Sequence, residues 1–146
     1  MNVSRMTLQT APAAAKLEGR LFSHPWKEED FLASLRDESR AFFICTQGER
    51  LLGYCGFQWS KEQGDVLTIG VDPSFRRQGA GKALMSALLS HAQERGVKEV
   101  FLEVRAGNEA ARRLYEQCGF TLLYTRKGYY SDPKEDGLVL RLEVLK

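Results

Sequence analysis

Residues 100–120 read VFLEVRAGNEAARRLYEQCGF, and two of them carry side chains able to move protons. Glu103 interrupts a stretch that alternates as a strand: Val100, Leu102 and Val104 fall on one face, and Phe101, Glu103 and Arg105 on the other. Because Phe101 shares the second face, both faces are partly covered. A carboxylate there must be paired, hydrogen-bonded or beside a wet cleft. It reads as half of an ion pair, with Arg105 or across strands, or as a general base. Tyr115 follows on a segment that Asn108 caps as a helix and Gly119 ends, with Ala111 and Cys118 on the same face. It reads as core packing or as a proton donor. Such a pair could take a proton from an attacking group and return one to a leaving group, the carboxylate as acceptor and the phenol, pKa about 10, as donor.

A second stretch, DPSFRRQGAGKALM over residues 72–85, places glycines at a strand-to-helix turn. Main-chain N–H groups at the positive end of a helix accept phosphate oxygens, and Arg76, Arg77 and Lys82 add charge around them. The nucleotide loop GxxxxGK[ST] does not fit, because Ala83 follows Lys82 and Arg76 stands where the first glycine belongs. The dinucleotide pattern GxGxxG fails at Leu84. What remains is Arg76-x-x-Gly79-x-Gly81, either a phosphate loop or a tight turn with a solvated basic rim. The strand ahead of it, VLTIGVD, contains Gly70, and an interior glycine marks a bulge or a close approach to the backbone. Free N–H groups there could polarise a carbonyl oxygen.

These groups need a frame. The 146 residues favour one domain spanning 1–146, and 43% hydrophobic with 27% charged residues is an ordinary globular balance. A net charge of +2 gives no argument for nucleic acid or a membrane. Cys45, Cys55 and Cys118 are odd in number and lack CxxC spacing, which points to reduced core thiols rather than disulfides or zinc. His24 and His91 are isolated, so no metal site is expected. MNVSRMTLQT lacks an apolar leader and no apolar run spans a bilayer, so a cytoplasmic protein is expected.

Periodicity predicts a strand at TLQTA, a helix over APAAAKLEGRLF with Pro12 in its first turn, and a second helix over KEEDFLASLRDES. AFFICTQ and LLGYCGFQW read as a hairpin across QGER. A long helix from Gly79 to Arg95 follows VLTIGVD, and FTLLYTRK and LVLRLEVL close the chain as a hairpin around SDPKEDG. Strand, long helix and VFLEVR form a parallel βαβ unit. The expected class is α/β (α+β), with a mixed, mostly antiparallel sheet around that unit and helices on both faces.

The loop at Arg76–Gly81 resembles the pyrophosphate loop of the Gcn5-related N-acetyltransferases (GNAT), which bind acetyl-CoA. FLEVRAGNEAARRLYEQCGF, HPWKEEDF and RKGYYSDPKEDGLVL resemble corresponding segments of their bacterial ribosomal-protein-alanine N-acetyltransferase branch, and together they cover most of the chain beyond Pro25. The resemblance implies Glu103 as proton acceptor and Tyr115 as proton donor. It implies the backbone at Ile69, Gly70 and Val71 around the acetyl-pantetheine arm, the amides of Arg77, Gln78, Gly79, Ala80, Gly81 and Lys82 around the pyrophosphate, and a cofactor contact from Asn108. Trp26, Tyr129 and Tyr130 would shape a groove for a peptide N-terminus, or equally serve as packing aromatics. His24 stands where bulkier apolar residues are common in the family, a departure that bears on acceptor choice. The implied acceptor is the N-terminal alanine of a small-subunit ribosomal protein. Acetylation of a small amine, or acyl-CoA binding without catalysis, are the other readings.

Overall fold

The chain opens with β1 (Asn2–Arg5), α1 (Ala11–Leu21) and α2 (Glu28–Ser34), then runs through β2 (Arg40–Gln47), β3 (Arg50–Ser60) and β4 (Gln63–Val71). It closes with α3 (Ala80–Glu94), β5 (Glu99–Arg105), α4 (Glu109–Gln117), β6 (Thr121–Tyr130) and β7 (Glu135–Glu143). The computed structural model describes residues 1–131 and 133–144. The strands form one sheet in the order β1-β2-β3-β4-β5-β7-β6. β4 and β5 run parallel across the α3 crossover, and the other neighbouring pairs are antiparallel. The expected mixed sheet with a parallel βαβ unit is thus the observed one.

Each face of the sheet carries a helical layer. Leu84, Met85 and Leu88 of α3 and Tyr115 of α4 pack on Cys55, Phe57, Val100, Leu102 and Val104. On the other face Ala11, Ala14 and Leu17 of α1 and Phe31 of α2 pack on Phe42, Ile44 and Tyr54. Each fully buried Leu or Phe contributes about 1.5–3 kcal/mol of burial free energy.

Three expectations about element bounds are corrected. TLQTA is not a strand. The Thr7 amide donates to Thr10 Oγ1 at 2.8 Å and the Ala11 amide to the Thr7 carbonyl at 3.0 Å. The hydroxyl bond and the main-chain bond together make a turn that leads into α1. The strand lies upstream, where Val3 pairs with Cys45. The second helix stops at Ser34, since Asp37 Oδ1 draws in the amide and hydroxyl of Ser39 at 2.8 and 2.6 Å and forms a turn. Within the expected loop SDPKEDG, Glu135, Asp136 and Gly137 belong to β7. Asp132 of that loop, and Leu145 of the expected last strand, lie outside the described residues.

The feature that positions the site is a parting of strands. β4 and β5 are paired from Gln63–Glu99 to Asp65–Phe101 only. Beyond that point β4 stays with β3 as far as Val71, and β5 stays with β7 as far as Arg105. The register against β3 jumps between Val66 and Thr68, leaving Leu67 as an extra residue in β4. A bulge of this kind bends a strand, and this one sits where β4 leaves β5.

Candidate active site

A cleft of about 640 Å³ opens at the parted ends, floored by Ile69, Gly70 and Val71 of β4 and walled by α3 and α4. Its backbone geometry is unusual in two places. Arg77 and Gly79 both lie in the left-handed region, with φ of 68° and 87°. An arginine held there is strained and persists only where surroundings fix it. Gly79 is the N-cap of α3, so the next amides, those of Ala80, Gly81 and Lys82, have no carbonyl of an earlier turn to bond. Asp72 braces the turn: its Oδ1 accepts from the Ser74 amide at 3.0 Å and its Oδ2 meets Arg20 at 3.2 Å. The Ser74 amide, and then Arg20, hold its carboxyl below the usual range.

The glycines explain themselves by contact. A Cβ on Gly81 would stand 2.8 Å from Leu114 Cδ2, so its absence lets α4 close against the first turn of α3. A Cβ on Gly70 would stand 2.6 Å from Tyr54 Oη and 2.7 Å from Leu21 Cδ1. Gly70 is therefore a close approach, and the bulge lies a turn of the chain earlier, at Leu67. Asn108 lines the cleft and caps α4, its Oδ1 accepting from the Ala111 amide at 3.2 Å.

Tyr115 lines the cleft from the α3/α4 face, only 6% exposed and edge-on to Phe120 at 6.0 Å. Burial, and then the neighbouring Cys55, push its phenol upward, so it holds its proton. Burial also pushes up the thiols of Cys45, Cys55 and Cys118, which are all free.

Glu103 emerges on the opposite face of β5, two residues past the last pairing with β4. Of the two expected ion pairs the cross-strand one is present: Arg126 of β6, two strands over, lies 3.8 Å away, with both side chains partly exposed. A pair so open to solvent is weak. Arg105 instead holds the β6–β7 turn, bonding the carbonyls of Ser131 and Pro133 at 3.0 and 2.9 Å and meeting Glu135 at 3.3 Å. Its guanidinium also lies 4.4 Å from the centre of the Tyr130 ring. Tyr130 stands within electrostatic reach of both Glu103 and Tyr115, its own phenol raised by burial and then by Glu103. Tyr129 is half exposed beneath Arg126, 4.9 Å from its ring centre. Trp26 is half-buried, tilted against Phe31 and Phe42 at 5.4 and 5.6 Å.

The cleft thus gathers Ile69, Gly70, Val71, Arg77, Gly79, Ala80, Gly81, Lys82, Asn108 and Tyr115. Gln78, Glu103, Trp26, Tyr129 and Tyr130 stand outside its lining. Sequence reasoning missed Arg113, which adds a cation to the wall, and Leu21 and Phe22, where the end of α1 borders the floor. It also missed Arg126 and the buried Glu18. Glu18 had a legible signal, since it falls on the apolar stripe of α1 seven residues after Ala11 and four after Ala14.

Unpaired amides beside Arg76, Arg77, Lys82 and Arg113 suit a diphosphate, and the glycine-floored slot between the strands suits a thin pantetheine arm. The residues therefore fit acetyl-CoA. This fold and site define an acyltransferase class: the acetyltransferase (GNAT) family model matches residues 10–120, and the chain belongs to that family. It is an acetyl-CoA-dependent N-acetyltransferase. Among its relatives is the ribosomal protein bS18-alanine N-acetyltransferase of Escherichia coli K12, 35% identical over 144 residues covering 97% of each chain. The N-alpha-acetyltransferase RimI of Mycobacterium tuberculosis is 33% identical over 97% of this chain and 91% of its own. The crystal structure of the ribosomal-protein-S18-alanine N-acetyltransferase from Escherichia coli superposes with a TM-score of 0.89 over 99% of this chain and 94% of that one, at 33% identity.

Proposed function

We propose that this enzyme acetylates the α-amine of a protein N-terminus, with the N-terminal alanine of a small-subunit ribosomal protein as its acceptor. The observation that carries the reading is the arrangement at the parted strands: the Glu103 carboxylate on one face of β5, two residues past its last pairing with β4, and the Tyr115 phenol lining the cleft on the other. Relatives at 33–35% identity named for N-terminal or ribosomal-protein alanine acetylation support the acceptor class.

Acetyl-CoA, when bound, supplies an activated thioester carbonyl. The backbone at Ile69, Gly70 and Val71 holds its acyl arm, and the amides from Arg77 to Lys82 hold its diphosphate. An incoming α-ammonium approaches on the Glu103 face, where Trp26, Tyr129 and Tyr130 border the entry. Glu103 accepts the proton that the ammonium must lose, directly or through a water. Tyr115 keeps its proton at working pH because it is buried, and gives it to the departing sulfur.

The test is incubation with acetyl-CoA and a panel of peptides differing in their first residues, read by mass, beside spermidine and free amino acids. Acetylation of alanine-initiated peptides above the others is the expected result. Turnover of the small amines alone would overturn the acceptor assignment, and cofactor binding with no turnover of anything would overturn the enzymatic role. Glu103→Gln should slow the reaction at neutral pH and move the pH profile upward, because only amine that has already lost its proton then reacts. A tenfold slowing at pH 7 is about the fraction unprotonated for a pKa near 8. An unchanged profile removes Glu103 from the role of base.

A further inference from the structure

Glu18 is a charged side chain in the interior, 2% exposed on the inner face of α1. An isolated buried carboxylate is strongly disfavoured, so its partners matter. Among the described residues three donors bond it, from three different segments. Its Oε1 accepts from the Tyr54 hydroxyl of β3 at 2.6 Å and from the Thr68 hydroxyl of β4 at 2.6 Å. Its Oε2 accepts from the Trp26 amide at 2.8 Å, in the stretch between α1 and α2. Bonds of this kind, to an ionised acceptor, are short and strong.

Two of these partners touch what the cleft uses. Tyr54 pairs with Gly70 across the sheet, and its Oη stands where a Gly70 side chain would begin. Thr68 precedes Gly70 by two residues on the same face of β4. The third partner anchors the Pro25–Trp26 stretch. Nothing else among the described hydrogen bonds ties that stretch to α1 or the sheet, although the Trp26 ring packs on Phe31 and Phe42. A purely apolar contact would fill the same space without fixing the height of three backbones at once.

We infer that Glu18 is a positioning residue: one buried carboxylate that fixes the acceptor-side stretch at Trp26 to the β4 segment under the thioester site. The inference deepens the proposed function and rests on Trp26 bordering the acceptor entry. Losing the charge loosens the acceptor border first, because β4 remains held by its strand pairing with β3, whereas the Trp26 main chain loses its bond to Glu18 and keeps only the ring contacts with Phe31, Phe42 and Arg40. Glu18 touches no reacting atom.

The test uses a Trp59→Phe background, in which Trp26 is the one tryptophan left of two. Glu18→Gln keeps shape but replaces an ionic acceptor by a neutral amide. Thr68→Val removes one donor and preserves volume. Glu18→Gln should raise the peptide KM about tenfold, the loss expected for a charge-assisted bond, while the acetyl-CoA KM stays within about twofold. Trp26 emission should shift to the red as its amide lets go. Thr68→Val should give the same pattern more weakly, and it keeps the test open if the glutamine variant does not fold. Unchanged Trp26 emission with unchanged peptide KM in both variants overturns the inference. So does an acetyl-CoA KM that climbs as far as the peptide KM, which would mark a general loosening. If the parent acetylates no peptide, the acceptor assignment has failed. The emission shift then decides the anchoring by itself.

Discussion

Replacing Gly70 by alanine tests the floor of the cleft. The new Cβ would lie 2.6 Å from Tyr54 Oη, 2.7 Å from Leu21 Cδ1 and 2.8 Å from Tyr54 Cζ, against 3.4–4 Å for ordinary contact. About 0.8 Å of overlap must therefore be relieved somewhere, of the order that overpacked cores feel. Leu21 is half-buried and can turn, but Tyr54 is fully buried and its hydroxyl is pinned by Glu18. The strand has to yield, and the free direction is toward the cleft. Overpacking costs about 1–3 kcal/mol. Reduced freedom of the unfolded chain returns about 0.4–1 kcal/mol. A net loss of about 1–2 kcal/mol lowers Tm by roughly 2–8 °C in a chain of this size. Displaced main-chain groups should also raise the acetyl-CoA KM about fivefold, equivalent to one weakened hydrogen bond of about 1 kcal/mol. Gly19→Ala is the control: nothing lies within 4 Å of its Cβ, it sits inside α1, and it should stabilise by about 0.5–1 kcal/mol. Calorimetry and thiol-release kinetics read both variants. A Gly70→Ala protein as stable as the parent, with the same acetyl-CoA KM, would show that the Tyr54–Leu21 wall yields freely and would refute the reasoning.

Asn108→Ala should lose about 1 kcal/mol with the cap of α4, whereas Asn108→Asp should keep the cap and raise the acetyl-CoA KM by bringing a carboxylate to a cleft built for phosphates; thermal melts and kinetics separate the two effects. His91 packs among Phe43, Phe57 and Trp59, and burial, then Arg5 and Arg95, depress it below its ordinary 6.5. The unfolded chain then takes up the proton first, so stability is full above pH 6.5 and declines as pH falls from there through the depressed folded value. Solvent screening keeps this below about 1 kcal/mol, and His91→Phe should flatten that part of a melting-temperature profile.

The parts of the fold most legible in sequence were those where local chemistry and tertiary need agree. The apolar spacing of Leu84 and Leu88, the cap at Asn108 and the glycines of 79 and 81 each specify their own neighbourhood, and the parallel unit follows from their order. β1 was not legible, because Val3 is its one aliphatic residue and its pairing with Cys45 is long-range. The parting of β4 from β5 goes with a bulge at Leu67, whereas the glycine of VLTIGVD marks a close approach three residues later. Glu18 shows its place on the apolar stripe of α1, but not its partners. Its burial is decided by Tyr54 and Thr68, which lie 36 and 50 residues away. Glu103 was visible as an anomaly in its strand, but its partner Arg126 comes from two strands over.

The cysteines have a bearing on side reactions. Every turnover handles an activated acyl group, a thioester carbonyl that a protein thiolate can attack. With Cys45, Cys55 and Cys118 all held in the S–H form by their apolar surroundings, the protein offers few such anions of its own. A thiol that keeps its proton is a poor nucleophile toward a thioester, so these side chains compete little with the acceptor amine for the acetyl group.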